Sequence, residues 1–200
     1  MMARPFQVLP GWLSPAPDSA IANTMRRGKS PWTDSIHLLW SVWVFITPVF
    51  SGGLTWKWLW LTVASYPVFV LLFAMTLLSP RRASPFYALG MAALGIALMP
   101  FYSAAISYFL FGCVMLRPGS RNFLAWHIPR LLPLNAVFLG VAWRFGYPWQ
   151  ALVWIPVMTT ILSIIINVER INHEKDAALK LSHDEVRRLA ALAERERIGR

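Results

Sequence analysis

From Ser35 to Val168 the chain contains no aspartate or glutamate; all nine acidic residues are Asp18, Asp34 or lie from Glu169 onward. A stretch of that length cannot surround itself with the mixed charged shell of a water-soluble domain, whose residues are about 25% charged. Over the whole chain, charged ends included, the figure is 14%, against 56% hydrophobic. The expectation is a multi-span membrane domain with polar ends.

The formal net charge of +10 fits that expectation better than nucleic-acid binding, because Lys and Arg mark cytoplasmic loops and anionic lipid surfaces. No nucleic acid is expected as a partner; membrane lipids are. Cys113 is the only cysteine, which rules out an internal disulfide and any cysteine-based metal cluster. At the amino terminus, Pro10, Pro15 and Pro17 interrupt "FQVLPGWLSPAP", leaving no continuous apolar core for a signal peptide. Residues 1–31 therefore read as a flexible basic cytoplasmic tail.

Six apolar stretches can be drawn: Trp32 to Phe50, Trp56 to Leu78, two sharing Phe86 to Leu116, Phe123 to Trp143, and Pro148 to Val168. A spanning helix needs about 20 residues. The uncharged run from 86 to 116 is long for one span and short for two, and Pro100 offers the turn between two. Six spans put Arg4, Arg26, Arg27, Lys29, Arg81, Arg82, Arg117 and Arg121 on one side, with only Lys57 and Arg144 opposite. That is the positive-inside pattern with both termini cytoplasmic; five spans would split the arginine pairs. The expected fold class is thus an all-α membrane protein, with about six transmembrane helices over 32–168 followed by a long cytoplasmic coiled-coil-like linker over 169–200.

Tryptophans 56, 58, 60, 149 and 154 gather toward the side opposite the arginines, as an interfacial aromatic belt would. Ala88, Gly90, Ala92, Ala93, Gly95 and Ala97 make the third stretch a small-residue helix suited to close helix packing. In "WHIPRLLPLN", Arg130 and Asn135 are candidate intramembrane sensing residues, since an ionisable or amide group at membrane depth is costly. Arg130 also lies near enough to the cytoplasmic end to snorkel as a plain anchor. His127 has no second His or carboxylate nearby for a metal. Asn167 could hydrogen-bond between helices or simply mark the membrane exit.

Between Ile164 and Ile198 there is no Pro or Gly, and charge alternates in sign. One helix leaving the last span would reach about 50 Å beyond Val168. A heptad seam runs through Val168, Ile171, Lys175, Ala178, Ser182, Glu185, Leu189 and Leu192. Its polar members make it weak, while Leu181 and Val186 favour a shifted register. Two competing registers suit a mechanical switch; a solvated helix packing on another domain is the alternative.

The phrase Glu194-Arg195-Glu196-Arg197-Ile198-Gly199-Arg200 resembles the entry to the dimerisation helix of DesK/NarL-type sensor histidine kinases. That family's pattern is Glu-Arg-x-Arg-Ile-Ala/Gly-Arg, followed by an acidic residue, Leu, and the phosphoacceptor His and Asp. The motif covers the last seven residues; the rest matches in layout only. The resemblance implies the membrane sensor and signalling portion of a bacterial two-component kinase, multi-pass in the inner membrane and homodimeric. It would relay a membrane or small-molecule stimulus to a core that phosphorylates a response regulator. ATP and Mg are implied for that core alone: the phosphoacceptor His is expected just beyond Arg200, and nothing here resembles the nucleotide-binding boxes. No catalytic, cofactor or metal residue is expected in this chain itself, and whether the chain is enzymatic stays open. Ser182-His183-Asp184-Glu185-Val186-Arg187 only imitates another phosphoacceptor box, with one residue too many. Two alternatives remain: a stand-alone membrane scaffold whose cytoplasmic helix binds a partner, or a small transporter. The transporter would lack the membrane carboxylate that coupled transport usually uses.

Overall fold

Thr55 opens the longest apolar helix by accepting a hydrogen bond on its side-chain oxygen from the Trp58 N–H, at 3.3 Å. This is the ordinary N-cap device. In the computed structural model, which describes residues 14–26, 30–50, 55–116 and 123–198, the chain is all-helical. Helix α1 is Ala20–Arg26, and a 3-10 helix, Pro31–Val42, leads into α2, Trp43–Phe50. Then come α3, Trp56–Leu78, and α4, Ser84–Leu98. A 3-10 turn at Ser103–Ala105 precedes α5, Ile106–Met115, and α6 and α7 are Phe123–Arg144 and Trp149–Ile198.

The expectation of six membrane-spanning helices is corrected by these lengths. Among the described residues only α3 is both long enough and apolar enough to cross a membrane. Proline and glycine supply the physical reason. The first apolar stretch is divided between the 3-10 helix and an eight-residue α2 that contains Pro48. The 86–116 run breaks at Pro100 into helices of 15 and 10 residues. Helix α6 has 22 residues, but His127, Pro129, Arg130, Pro133 and Asn135 dilute its hydropathy. Among the described side chains of α7 the apolar run is Leu152–Ile166. Apolar character dominates from 35 to 168; among the described residues, apolar helix of spanning length is confined to α3.

The expected coiled-coil linker is corrected as well. The chain forms two compact units, Met1–Leu162 and Ser163–Arg200. The second holds the rest of α7, a lone helix, whereas a coiled coil requires two helices interlocking their seams. Of the seam positions, Val168, Ile171, Lys175, Ser182, Glu185 and Leu189 are exposed, as is Val186 of the shifted register. The side chains of Ala178, Leu181 and Leu192 lie outside the described residues.

Within the first unit α4 is the centre, packing most extensively on α5 and then on α3. The α4–α5 contact is built from small residues. Ala88, Ala92 and Gly95 recur at helical spacing on α4, and Ala105, Phe109 and Gly112 repeat the same spacing opposite. A Cβ on Gly95 would stand 2.8 Å from the Phe109 Cβ and 2.9 Å from the Ala105 carbonyl oxygen. One on Gly112 would stand 2.7 Å from the Ala88 carbonyl oxygen and 2.8 Å from the Ala92 Cα. Backbone meets backbone where the glycines are, as small-residue helix pairs allow. Phe69 stacks on Tyr108 with ring centres 4.7 Å apart, joining α3 to α5. Phe109 stacks on Phe138 at 4.3 Å and ties α6 to the bundle.

The bundle has two unlike ends. At one, the turn holding Arg81 and Arg82 meets the amino-terminal segment: the Ala16 N–H donates to the Leu78 carbonyl at 2.9 Å and the Arg81 N–H to the Asp18 carboxylate at 3.1 Å. Ile21 of α1 is buried in the same core as Phe69 and Phe73. At the other, Lys57 lies 5.8 Å over the Phe101 ring, and Trp56 and Trp60 meet edge to face at 5.7 Å. The Tyr147 hydroxyl donates to the Met99 carbonyl at 2.6 Å there. Burial pushes the Tyr147 phenol above its ordinary range, so it stays protonated, and a donor, throughout neutral pH. The α6–α7 connection is a Schellman turn: Gly146, at φ 75, gives its N–H to Trp143, and the Tyr147 N–H reaches back to Ala142.

Candidate functional site

The first unit has an interior of apolar side chains, so its buried polar groups are where specific chemistry can sit. Two sets of them join one element to another by side-chain to side-chain hydrogen bonds. The first lines α3. Thr62 and Ser65 each give their single hydroxyl hydrogen to their own helix, to the Trp58 carbonyl at 2.9 Å and the Leu61 carbonyl at 2.6 Å. Their oxygens then accept from tyrosines brought by the α4–α5 connection and α5: Tyr102 on Thr62 at 2.6 Å and Tyr108 on Ser65 at 3.1 Å. A third pair, Ser41 with Tyr66 at 2.9 Å, ties the 3-10 helix to α3. Tyr102 and Tyr108 are buried. These hydroxyls hold three helices in one rotational setting.

The second set joins α6 to α7. The Asn135 amide nitrogen donates to the Leu131 carbonyl at 2.9 Å. That bond fixes which end of the amide is which, because a carbonyl can only accept. The amide oxygen therefore faces α7, where the Thr159 hydroxyl lies 3.2 Å away. The same hydroxyl is 2.9 Å from the Pro156 carbonyl. Asn135 is 7% exposed and Thr159 fully buried, so this bridge is shielded from solvent.

Of the candidate sensing residues, Asn135 thus makes a buried contact between helices. Arg130, five residues earlier, is exposed in the first half of α6. His127 is buried. The side chain of Asn167 lies outside the described residues. So do the side chains of Glu194, Arg195, Arg197 and Ile198, whose backbone is helical, and the whole of Gly199 and Arg200. Among the described residues no three His, Cys, Asp or Glu side chains come together as a metal site, and Cys113 is buried.

Thr62, Ser65, Tyr66, Tyr102, Tyr108 and Thr159 carry no charge and interrupt no hydropathy pattern, so sequence reading passed over them. The available signal was spacing: Thr62, Ser65 and Tyr66 share a face of α3 at three- and four-residue intervals.

No family model, curated protein or solved structure matches the chain.

Proposed function

We propose that this chain is the membrane-embedded input portion of a sensor histidine kinase of the DesK/NarL type. The observation that carries the reading is α7. It is one helix from Trp149 to Ile198, containing Pro156 in its apolar part and the Glu194-Arg195-Glu196-Arg197-Ile198 phrase in its last turns. A helix transmits rotation or tilt along its length where a loop would dissipate it. The bundle supports the membrane part of the reading. Leu39, Trp40, Phe50, Trp56, Phe86 and Trp143 are all more than half exposed on it, a surface suited to lipid. The Arg81/Arg82 end suits the cytoplasmic face and the tryptophan end the outer one. On this reading a change in the lipid or in a small apolar molecule alters the seating of α7, and an attached kinase core converts that into phosphorylation of a response regulator. The core would use ATP and Mg to phosphorylate its own histidine, and the assembly would be a homodimer.

The test joins the chain at Arg200, in unbroken helical phase, to the kinase core of a DesK/NarL-type protein in vesicles, with Mg-ATP supplied. One to four alanines are then inserted after Lys175. Each adds about 100° of rotation, so autophosphorylation should rise and fall with the helical period. Activity that ignores insertion length, or equals that of the free core throughout, would contradict the proposal.

A further inference from the structure

The Thr159 hydroxyl has one hydrogen and two acceptors in reach, the Pro156 carbonyl of its own helix and the Asn135 amide oxygen of α6. Unlike Thr62 and Ser65, which face tyrosine hydroxyls able to donate, Thr159 faces an atom that can only accept. The hydrogen can serve one partner at a time. The Thr160 hydroxyl also lies 2.8 Å from the Pro156 carbonyl, whose oxygen has two lone pairs and can accept from both threonines. Thr159 therefore chooses only between its own helix and Asn135, and when its hydrogen turns fully to Pro156 the bridge opens.

We infer that Asn135 and Thr159 form a latch that fixes α7 against α6, with Thr159 as a two-position donor. Two features make the latch reversible. Opening it never orphans the buried Thr159 hydrogen, which returns to Pro156; only the Asn135 oxygen loses a partner. And the bridge sits beside Pro156, whose missing N–H removes the backbone bond to Leu152, so α7 can bend where it is released. In an apolar interior such a bridge has two discrete settings rather than a continuum. The latch does not rest on the kinase reading.

The test uses the full chain in dodecyl maltoside micelles, so neither kinase activity nor a bilayer enters the result. Leu132 and Val153, both exposed, are replaced by spin-labelled cysteines in a Cys113→Ser background, and the distance distribution between α6 and α7 is read by pulsed electron resonance. The unaltered latch should give one narrow distribution. Thr159→Val and Asn135→Leu should each broaden it or add a second population. Thr159→Ser, which keeps the hydroxyl, should restore the narrow one and guards against mere misfolding. A cycle of Asn135→Leu and Thr159→Val should depart from multiplicative changes in the unfolding constant by about three- to eighteen-fold, the range of measured hydrogen bonds between membrane helices. Narrow, wild-type distributions in both Thr159→Val and Asn135→Leu would overturn the latch.

Discussion

Gly112 and Gly95 show how a missing methyl group sets a helix separation. At either position an added Cβ meets backbone or Cβ atoms of the facing helix at under 3 Å, and backbone cannot rotate aside as a long side chain can. Gly112→Ala should therefore destabilise the protein by about 1–3 kcal/mol, the usual cost of overpacking, with Gly95→Ala close behind. Gly140, on α6, has nothing within 4 Å of its absent Cβ. Gly140→Ala should be neutral or stabilise by up to about 1 kcal/mol, since glycine is the poorer helix former. Thermal unfolding in detergent, followed by circular dichroism, separates the two outcomes; equal effects at Gly112 and Gly140 would remove the packing argument. The hydroxyl pairs carry a similar asymmetry. Tyr102→Phe leaves Thr62 with its own carbonyl, whereas Thr62→Val takes from a buried phenol its 2.6 Å partner and leaves it only the Tyr108 hydroxyl, at up to about 1–3 kcal/mol. The valine variant should be the less stable of the two in the same melts.

Turns and breaks decide what each element becomes. Gly146 holds φ at 75 in the Schellman turn between α6 and α7, a conformation that costs other residues about 1–2 kcal/mol. Gly146→Ala should lower the unfolding free energy by about that much, although the site has open space around it. The loss measures strain rather than collision. At this scale much of the fold was legible. The stretch read as Trp56 to Leu78 is α3, with its N-cap one residue before, because aromatic and aliphatic residues run there with no acid and one proline. Pro100 marks the turn between α4 and α5. Spanning capacity is not legible in composition, because an apolar stretch need not be one apolar helix. Over Pro31–Val42 the apolar residues are interleaved with Thr33, Asp34, Ser35, His37 and Ser41, and the tighter 3-10 winding ends at Trp43, where α2 begins. The partners of the buried hydroxyls were not legible. Thr62 and Tyr102 stand forty residues apart, and only the folded α3–α4–α5 arrangement brings them together. Asn135 could be picked out as an amide in an apolar run, but nothing local points to Thr159.

At the largest scale, the two ends of the first unit carry different charged groups. Arg81 and Arg82 belong to the turn that also receives Asp18 from the amino-terminal segment, while Lys57 and Phe101 share the tryptophan end. The central claim is that this apolar bundle lives in a membrane with its arginine turn at the cytoplasmic face. The most direct measurement is labelling of single cysteines, in a Cys113→Ser background, by a membrane-impermeant maleimide on intact bacterial spheroplasts. One cysteine replaces Phe101, at the tryptophan end, and another replaces Ala83, beside the arginines. The account predicts that the Phe101→Cys protein is labelled at once and the Ala83→Cys protein only after the membrane is permeabilised, with both proteins remaining in the membrane fraction after carbonate extraction. Labelling of Ala83→Cys on intact spheroplasts, or release of the chain by carbonate, would contradict it.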